Sequence, residues 1–472
     1  YFDKTGAQIA KIEGGGSGIE VTDFLPDGSK RVQYTADEKG NINGTETFYY
    51  PSGKVAETDV YQNGVEQGPS IAYYSNGNKH FETPYVDGKQ DGYYRSWYRH
   101  GQLQEEGWYK DGDFQGYWLD YNELGALTDS VYYSGGVLEG YRSEFTPNGK
   151  KEFERKFHGG WLVEYMQYDT SGKELRHFYL PEGTGQVRFV YPNGQPYLSV
   201  DFRRSQKEGE SKGWYVTGEP MEQAWYNKGL QDSTYKRWYR SGNVSIDGHY
   251  SNGEKTGVWK TYYRDGSYTR EEYVHGQENG LETRFDATGK RAYEVTYRYG
   301  RKEGEGKYFD PDGTLLYQVR YKNDLPVGYS YLDAKDSLIP EIPIVRQAGK
   351  IRTQFPNGKV SAEFEYRDGV YEGDKVVYYT NGQLKERMHW EGGVLEGPDN
   401  IYWPNGKLQS SGVYLHGNLH GLYKVYNDKG VLRQQSNYYC DMLHGTTTLY
   451  DDMGRVLETD YYYYGTLLSV KK

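Results

Sequence analysis

The sequence has little of several features that mark common protein classes. It contains one cysteine in 472 residues, which excludes a disulfide framework and a cysteine-based zinc site. Its apolar runs all fall short of the about 18 residues that a membrane-spanning helix needs. Acidic residues outnumber basic ones by 67 to 56, and the net charge of −11 argues against nucleic acid and anionic lipid as main partners. Only 35% of the residues are hydrophobic, so a large aliphatic core is not expected.

Tyrosine and glycine are abundant instead. The chain has 54 tyrosines and 62 glycines, and aromatic residues make up 17% of it. So many aromatic residues argue against disorder. We therefore expect an ordered chain that buries mainly aromatic rings, which is typical of a repeat protein or of a single-layer sheet. The first residue is Tyr1 rather than Met, which favours a processed or truncated chain.

A glycine recurs at steps of 22 to 24 residues through most of the sequence. Counting one missing unit after residue 328, the spacing indicates about 20 units. The 19 recurring glycines are Gly6, Gly28, Gly53, Gly77, Gly101, Gly125, Gly149, Gly172, Gly194, Gly218, Gly242, Gly266, Gly289, Gly313, Gly358, Gly382, Gly406, Gly430 and Gly454. These residues are called turn glycines below.

Each unit has the pattern of a β-hairpin. In residues 68–92, a first strand ends at Tyr73, and a second strand runs between Asn76-Gly77 and Asp87-Gly88. Asn-Gly and Asp-Gly between short aromatic runs predict type I′ turns, in which both central residues have positive φ. Turns this close together predict strands of about five or six residues. The same turns are predicted at Asn148-Gly149, Asn193-Gly194, Asn357-Gly358, Asn381-Gly382, Asn405-Gly406, Asp111-Gly112 and Asp368-Gly369.

Aromatic residues occupy two fixed positions of the unit. Four residues before the turn glycine, 17 of 19 units have an aromatic residue, such as Tyr73 or Trp238. Eight residues after it, 15 of 19 units have one, such as Tyr85. Because equivalent positions of stacked hairpins align, the pattern predicts two aromatic ladders, in which each cross-strand pair contributes roughly 0.2–1 kcal/mol.

The unit Tyr-Tyr-x-Asn-Gly … Glu … Tyr-x-Asp-Gly-x-x-x-Gly resembles the MORN repeat, in particular the variant type found in bacterial proteins labelled YwqK-family antitoxins. The resemblance covers residues 20–328 and 350–465. It implies an all-β fold, an elongated, twisted, antiparallel single-layer sheet of about 20 tandem β-hairpin repeats. It also implies a scaffold or binding surface, and similar arrays are common in envelope proteins of Bacteroidota.

The pattern divides the chain into four regions. Residues 1–40 are interpreted as degenerate N-terminal capping repeats and residues 41–328 as a repeat array. Residues 329–350 form a degenerate repeat or insertion, and residues 351–472 a second array with a C-terminal cap. The insertion holds the most aliphatic segment of the chain, interpreted either as a packed plug at a sheet edge or as a docking segment for a partner. The docking candidates are Leu338, Ile339, Ile342, Ile344 and Val345.

Catalytic and metal-binding motifs do not emerge from the sequence. It has no P-loop, no Gly-x-Ser-x-Gly elbow and no His-Glu-x-x-His. His416 and His420 have a metal-like spacing but precede ordinary repeat glycines, and Cys440 has no identifiable base. Repeated carboxylates such as Glu57, Glu82, Glu105 and Glu363 recur with the unit and are interpreted as a solvated face. We therefore predict no enzyme, no catalytic residue, no cofactor and no metal site.

Three short motifs point towards the cell envelope. Ser130, Ser233 and Ser337 each follow an aspartate and precede an apolar or Thr residue. This arrangement looks like the O-glycosylation motif of exported Bacteroidota proteins. The three serines are therefore candidate modification sites.

Three functions remain as hypotheses. The first is a non-catalytic scaffold for protein partners, as an accessory subunit of a bacterial envelope complex associated with the outer membrane. The expected location is the periplasm or the cell surface, with the cytoplasm as the alternative. The second is a carbohydrate-binding surface that uses the Tyr and Trp ladders, and the third is an antitoxin. Nucleic acid and a membrane span are not expected.

Overall fold

The structure is a computed structural model that describes residues 2, 8, 10–15, 18–25, 28–345 and 348–472. Parts of the predicted N-terminal cap, residues 1–40, therefore lie outside the described residues. The chain divides into two compact units, residues 1–173 (unit 1) and residues 174–472 (unit 2). The described ranges contain no α-helix. None of their helical segments has the length and apolar character to cross a membrane.

Unit 1 is an antiparallel sheet in which each long strand pairs with the next long strand in the chain. Two short strands, β6 and β9, pair back onto the strands before them. The strands are β1 (Ala10–Gly15), β2 (Gly18–Phe24), β3 (Lys30–Ala36), β4 (Gly44–Tyr49), β5 (Val55–Gln62), β6 (Val65–Glu66), β7 (Gly68–Tyr73), β8 (Lys79–Val86), β9 (Lys89–Gln90), β10 (Gly92–Trp97), β11 (Leu103–Lys110), β12 (Asp113–Tyr121), β13 (Leu127–Ser134), β14 (Val137–Phe145), β15 (Lys151–His158) and β16 (Trp161–Tyr168).

Unit 2 begins with β17 (Glu174–Tyr179) and a 3₁₀ turn at Pro181–Gly183, where the sequence spacing shortens. It then builds a 17-stranded sheet, β18–β34, here called the second sheet. Its strands are β18 (Gly185–Val190), β19 (Pro196–Arg203), β20 (Gln206–Trp214), β21 (Pro220–Asn227), β22 (Leu230–Gln231), β23 (Ser233–Trp238), β24 (Val244–Ser251), β25 (Glu254–Tyr262), β26 (Tyr268–Val274), β27 (Gln277–Glu278), β28 (Gly280–Phe285), β29 (Arg291–Arg298), β30 (Arg301–Lys302), β31 (Gly304–Phe309), β32 (Leu315–Lys322), β33 (Leu325–Ser330) and β34 (Ile342–Pro343).

A 12-stranded sheet, here called the third sheet, completes unit 2. Its strands are β35 (Gly349–Gln354), β36 (Val360–Arg367), β37 (Val370–Tyr378), β38 (Leu384–Glu391), β39 (Val394–Tyr402), β40 (Leu408–Leu415), β41 (Asn418–Leu419), β42 (Gly421–Tyr426), β43 (Leu432–Tyr439), β44 (Met442–Tyr450), β45 (Val456–Tyr463) and β46 (Thr466–Lys471). The predicted all-β, antiparallel hairpin repeat is thus confirmed.

The sequence did not predict that two sheets of unit 2 pack against each other. The ring centroids of Tyr317 in the second sheet and Phe364 in the third lie 5.2 Å apart. Ser361 Oγ donates to the carbonyl of Leu316 at 3.2 Å. These residues belong to one hydrophobic core that draws on both sheets. The single sheet layer expected from the repeat is therefore paired with a second layer here.

The two kinds of hairpin turn differ. Asp87 and Gly88 have φ of 50° and 75°, as the predicted type I′ turn requires. At Asn76-Gly77 only the glycine has positive φ, 97°; its N–H donates to the Tyr74 carbonyl at 2.8 Å, and the strand register shifts at Tyr73. This is a type I turn followed by a left-handed glycine and a bulge. The type I′ prediction is therefore wrong for the Asn-Gly series at residues 148, 193, 357, 381 and 405, where positive φ again falls on the glycine.

A column of tyrosines links these Asn-Gly turns to their neighbours. The Tyr50 hydroxyl donates to the Tyr73 carbonyl at 2.7 Å, and the Tyr74 hydroxyl to the Trp97 carbonyl at 2.9 Å. The column stands three residues before the turn glycine, one position later than the predicted ladder. It explains part of the tyrosine content, because each phenol joins two successive repeats. Equivalent bonds are made by Tyr98, Tyr191, Tyr215, Tyr239 and Tyr379.

At the other edge of the sheets, side chains of one repeat cap the turn of the next. Glu139 Oε2 accepts from the Gly159 N–H at 2.6 Å, and this bond holds the pKa of Glu139 below its usual value. Glu372 accepts from the Gly392 N–H at 2.7 Å in the same way. Glu139 and Glu372, 14 residues after their turn glycines, are therefore structural caps with defined backbone partners.

Candidate functional site

An open groove of about 480 Å³ lies on one face of the unit 1 sheet, which we call the groove face. Carboxylate, tyrosine and other aromatic side chains from β5 to β12 line it. The lining residues are Glu57, Asp59, Tyr61, Glu66, Ser70, Phe81, Thr83, Tyr85, Gln90, Tyr94, Glu105, Tyr109, Phe114 and Trp118.

The repeat places these side chains in columns. Alternate residues of a strand point to the same face, so Glu57, Asp59 and Tyr61 of β5 enter the groove together. They stand four, six and eight residues after the turn glycine Gly53. Because the same positions of later units stack beside them, the tyrosine of the predicted ladder recurs as Tyr85. The groove is thus a direct product of the period.

One end of the groove is built from packed aromatic rings. The Trp118 ring stacks on Tyr94 with centroids 5.5 Å apart and meets Tyr109 edge-on at 5.0 Å. The indole lies against the backbone of Gly107, where an added Cβ would stand 2.2 Å from Trp118 Cδ2. Only glycine allows this approach, so the aromatic end of the groove depends on the missing side chain.

The other end of the groove is acidic. Glu57, Asp59 and Glu66 line it, Glu105 stands on β11 with Tyr109 beside the aromatic rings, and no lysine or arginine is among the described lining residues. Burial, followed by the charge of Asp59, raises the pKa of Glu57 and of Glu66 above the ordinary value. Burial also raises the pKa of Glu105. Glu57, Asp59 and Glu66 therefore repel one another in a partly dehydrated site.

Two polar side chains in the groove are buried without a partner. Asp59 is only 8% exposed, and its carboxylate makes no hydrogen bond or ion pair with any residue that the structure describes. Thr83 is 2% exposed, and its Oγ1 atom has no hydrogen-bond partner. Since buried polar groups are normally hydrogen-bonded, both side chains offer unused binding capacity to a molecule in the groove.

Further along the groove face, the charges are neutralised within the sheet. Arg142 pairs with Asp129 at 2.9 Å, and Arg155 contacts Glu144. Asp129 occupies the same repeat position as Glu57 and Glu105, four residues after a turn glycine. Asp129 and Glu144 thus contact arginine, whereas no lysine or arginine stands among the described residues that line the groove.

The opposite face of unit 1 carries a row of exposed aromatic side chains. Tyr93, Trp108, Tyr117 and Tyr141 come from strands β10, β11, β12 and β14 and are 40%, 47%, 63% and 46% exposed. The Tyr93 and Trp108 centroids lie 6.0 Å apart. We call these four residues the aromatic row.

The aliphatic segment of the predicted insertion lies along an edge of the second sheet. Ile342 of β34 pairs with Tyr329 of β33, and Ile344 is buried in the core of unit 2. Leu338 and Val345 are exposed at 46% and 66%. Ile339 is half-buried, and its N–H donates to the Tyr331 carbonyl at 3.0 Å. The segment therefore presents some side chains to the core and some to solvent, and its docking role stays a prediction.

The three candidate glycosylation serines differ in accessibility. Ser130 is half-buried in the middle of β13, opposite Leu119. Ser233 is exposed at the start of β23, and Ser337 is exposed in a turn whose N–H groups are capped by Asp333. Their modification stays a prediction.

The histidines singled out in the sequence stand apart from any cluster. His416 Nδ1 lies 3.6 Å from Glu396, and His420 Nδ1 lies 4.0 Å from Cys440 Sγ, a neighbour that sequence reasoning missed. Within the described ranges, no group of three His, Cys, Asp or Glu side chains has the arrangement of a metal site.

The sequence interpretation did not single out the groove. The repeat pattern predicts a solvated face for Glu57 and Glu105 and gives no sign of the buried Asp59 and Thr83. A usable signal was present: the positions four and six residues after Gly53, Gly77 and Gly101 hold no lysine or arginine, whereas the unit of Gly149 has Arg155.

Comparison with protein families finds the MORN repeat variant at six stretches: residues 42–63, 90–111, 278–299, 302–323, 371–391 and 419–438. The first two stretches supply Glu57, Asp59, Glu105 and Tyr109 to the groove. No curated protein matches the chain.

Solved structures similar to the chain include the crystal structure of TcdB2-TccC3, with 11% sequence identity and a TM-score of 0.16 over 100% of this chain and 33% of that chain. The crystal structure of TcdB2-TccC3-Cdc42 has 12% identity and a TM-score of 0.12, over 96% of this chain and 34% of that one. The chain thus spans about a third of the length of these solved chains.

Proposed function

Because the chain carries MORN repeats of the variant type, we propose that it is a non-catalytic scaffold that binds a protein partner through the groove of unit 1. In this proposal it is an accessory subunit of a larger complex at the bacterial cell envelope. The envelope location is supported by the resemblance to Bacteroidota arrays and by the three Asp-Ser motifs around Ser130, Ser233 and Ser337.

One observation carries the choice of surface. The groove collects four carboxylates without a cation among its described lining residues, whereas Asp129 and Glu144 further along the same face contact arginine and Glu139 caps a turn. Leaving polar groups unpaired in a partly buried site costs stability. A binding role accounts for this cost, because the partner supplies the missing interactions in the complex.

Two variants test this proposal. The groove-neutral variant removes the four carboxylates: Glu57→Gln, Asp59→Asn, Glu66→Gln and Glu105→Gln. The control variant removes four exposed acids outside the groove: Asp87→Asn, Asp111→Asn, Asp312→Asn and Asp428→Asn. Each variant loses four negative charges, so the two are matched in net charge.

Tagged wild-type protein and both variants would be crosslinked in the native host, purified and compared by mass spectrometry. The proposal predicts a crosslinked protein at residues of the groove, retained by the control variant and lost by the groove-neutral variant. Absence of a crosslinked partner for the wild-type protein would refute the scaffold function.

A carbohydrate-binding surface is the second candidate, favoured by the aromatic row. Rings exposed in succession on one face of a sheet can stack on the sugar rings of a polymer. The test is binding to cell-envelope polysaccharides by Trp108→Ala and Tyr117→Ala proteins. Unchanged binding, or none by the wild-type protein, would remove this candidate.

A further inference from the structure

We propose that the groove binds an extended protein segment rich in lysine or arginine, whose cationic side chain enters between Asp59 and the groove tyrosines. This inference rests on the proposed scaffold function and adds the chemistry of the partner. It is carried by three separate features of the groove: its charge, its aromatic walls and its unpartnered buried side chains.

Charge complementarity selects a cation. The carboxylates of Glu57, Asp59, Glu66 and Glu105 line one cavity that holds no compensating cation. A lysine or arginine in this position would form charge-assisted hydrogen bonds with several carboxylates at once. The same contact would reduce the mutual repulsion of Glu57, Asp59 and Glu66, so binding relieves an unfavourable arrangement already present in the free protein.

The aromatic walls fit the same ligand. Tyr61, Tyr85 and Tyr109 stand beside the carboxylates in the groove, and ring faces attract cations. The chain uses such contacts repeatedly within itself: Lys255 Nζ lies 4.4 Å from the ring centroid of Trp259, and Lys207 Nζ lies 4.8 Å from that of Tyr226. The groove tyrosines can hold the aliphatic stem and head group of a partner's lysine in the same way.

The second observation, independent of the acidic cluster, comes from Thr83. Thr83 lines the groove, and its hydroxyl is buried with no hydrogen-bond partner among the described residues. A threonine hydroxyl can both donate and accept, so it can bond to an ammonium group or to the backbone of an extended segment. Valine at this position would keep the shape of the side chain and remove the hydrogen bond.

The cavity lies open along the sheet and crosses β5 to β12. Adjacent strands are about 4.8 Å apart, and residues along an extended chain are about 3.3 Å apart. An extended segment that crosses these strands can therefore place several side chains in the groove. A single small cation would leave most of the lining uncovered.

The probe for this inference is a fluorescently labelled octalysine peptide, with octaglutamate as the negative control, titrated against the purified full chain. The wild-type protein and the control variant are expected to bind octalysine equally. The groove-neutral variant is expected to bind at least about 10-fold more weakly, and Thr83→Val more weakly than the wild type. Binding by the wild type is expected to weaken steeply as salt is raised, because exposed charge pairs are screened.

Equal losses in the groove-neutral and control variants would show that only net charge matters and would overturn the inference. Unchanged octalysine binding by Thr83→Val would overturn the role of its hydroxyl, even if the groove-neutral variant did not fold. A partner that still crosslinks to the groove of wild-type protein, combined with no octalysine binding, would retain the scaffold function and reject a basic partner.

Discussion

The same positions of the repeat are open in unit 1 and covered in unit 2. Four, six and eight residues after Gly53 stand Glu57, Asp59 and Tyr61, which line an open groove. At the same offsets from Gly313, Tyr317, Val319 and Tyr321 are buried against the third sheet.

The residue types at these repeat positions decide whether a second sheet packs on that face. Burial of Tyr317 and Val319 stabilises the folded state by roughly 25 cal/mol for each Å² of apolar surface removed from water. Carboxylates at the equivalent positions would lose hydration in the same environment. One backbone repeat therefore gives a packed core in one unit and a charged groove in the other.

The largest expected effect is on the covered face. Phe364→Ala should lower the free energy of unfolding of unit 2 by about 3–5 kcal/mol, because it removes a buried ring from the core shared by both sheets. Chemical unfolding, followed by hydrogen exchange of each unit, measures this effect. If the loss of protection were as large around Tyr61 as around Tyr317, the two units would not be energetically separate.

The insertion segment of unit 2 has one buried and one exposed aliphatic side chain next to each other. Ile344 is buried and Val345 is exposed. Ile344→Ser should therefore cost about 2–4 kcal/mol of stability, and Val345→Ser less than about 0.5 kcal/mol.

Melting and partner recovery should be measured on both proteins. Loss of the partner from Val345→Ser at unchanged melting temperature would support docking by this segment. If Val345→Ser still recovered the partner fully and Ile344→Ser melted at a much lower temperature, the segment would be a structural plug and not a docking segment.

Asp399 should make the stability of unit 2 depend on pH. Burial, followed by the charge of Glu386, raises the pKa of Asp399 from 3.8 to about 7. The folded state then holds a proton that the unfolded state releases, so stability falls as pH rises from about 4 to about 7.

Between pH 5 and pH 8, we expect a loss of roughly 2–3 kcal/mol from this group. Asp399→Asn should remove that part of the pH dependence in unfolding titrations. An unchanged pH profile in Asp399→Asn would show that the carboxyl group is not responsible.

The smallest expected effect concerns a feature that both units share. Tyr74→Phe in unit 1 and Tyr239→Phe in unit 2 each remove a hydroxyl that bonds to the next repeat. Each should cost about 1 kcal/mol, with increased hydrogen exchange confined to adjacent repeats. A spread of increased exchange across a whole unit would argue against nearest-neighbour coupling.

Local features could be predicted from the sequence, and contacts between distant repeats could not. The turn glycines predicted the hairpins because each hairpin is complete within one unit. The contact of Tyr317 with Phe364 joins residues on either side of the insertion, and no period of the sequence encodes it. The turn error had a local cause: the Tyr74 carbonyl accepts from Gly77, so the loop is longer than the two-residue turn assumed for Asn-Gly.

The groove could be predicted only in part. The tyrosine column of Tyr61, Tyr85 and Tyr109 follows from the period and was expected as a ladder. Whether a carboxylate has a cationic partner depends on which neighbouring strand supplies an arginine. Asp129 is paired with Arg142 of the next strand, whereas no arginine stands among the described residues that line the groove with Glu105. That information lies in pairs of residues from different strands.

The most direct measurement of the central claim is hydroxyl-radical footprinting by mass spectrometry of the free chain and of the chain in its native complex. An open groove that a partner fills predicts that Tyr61, Tyr85 and Tyr109 are modified in the free chain and protected in the complex. Tyr317 should be protected in both states. Protection restricted to the aromatic row, with the groove tyrosines equally reactive in both states, would show that the partner does not bind in the groove.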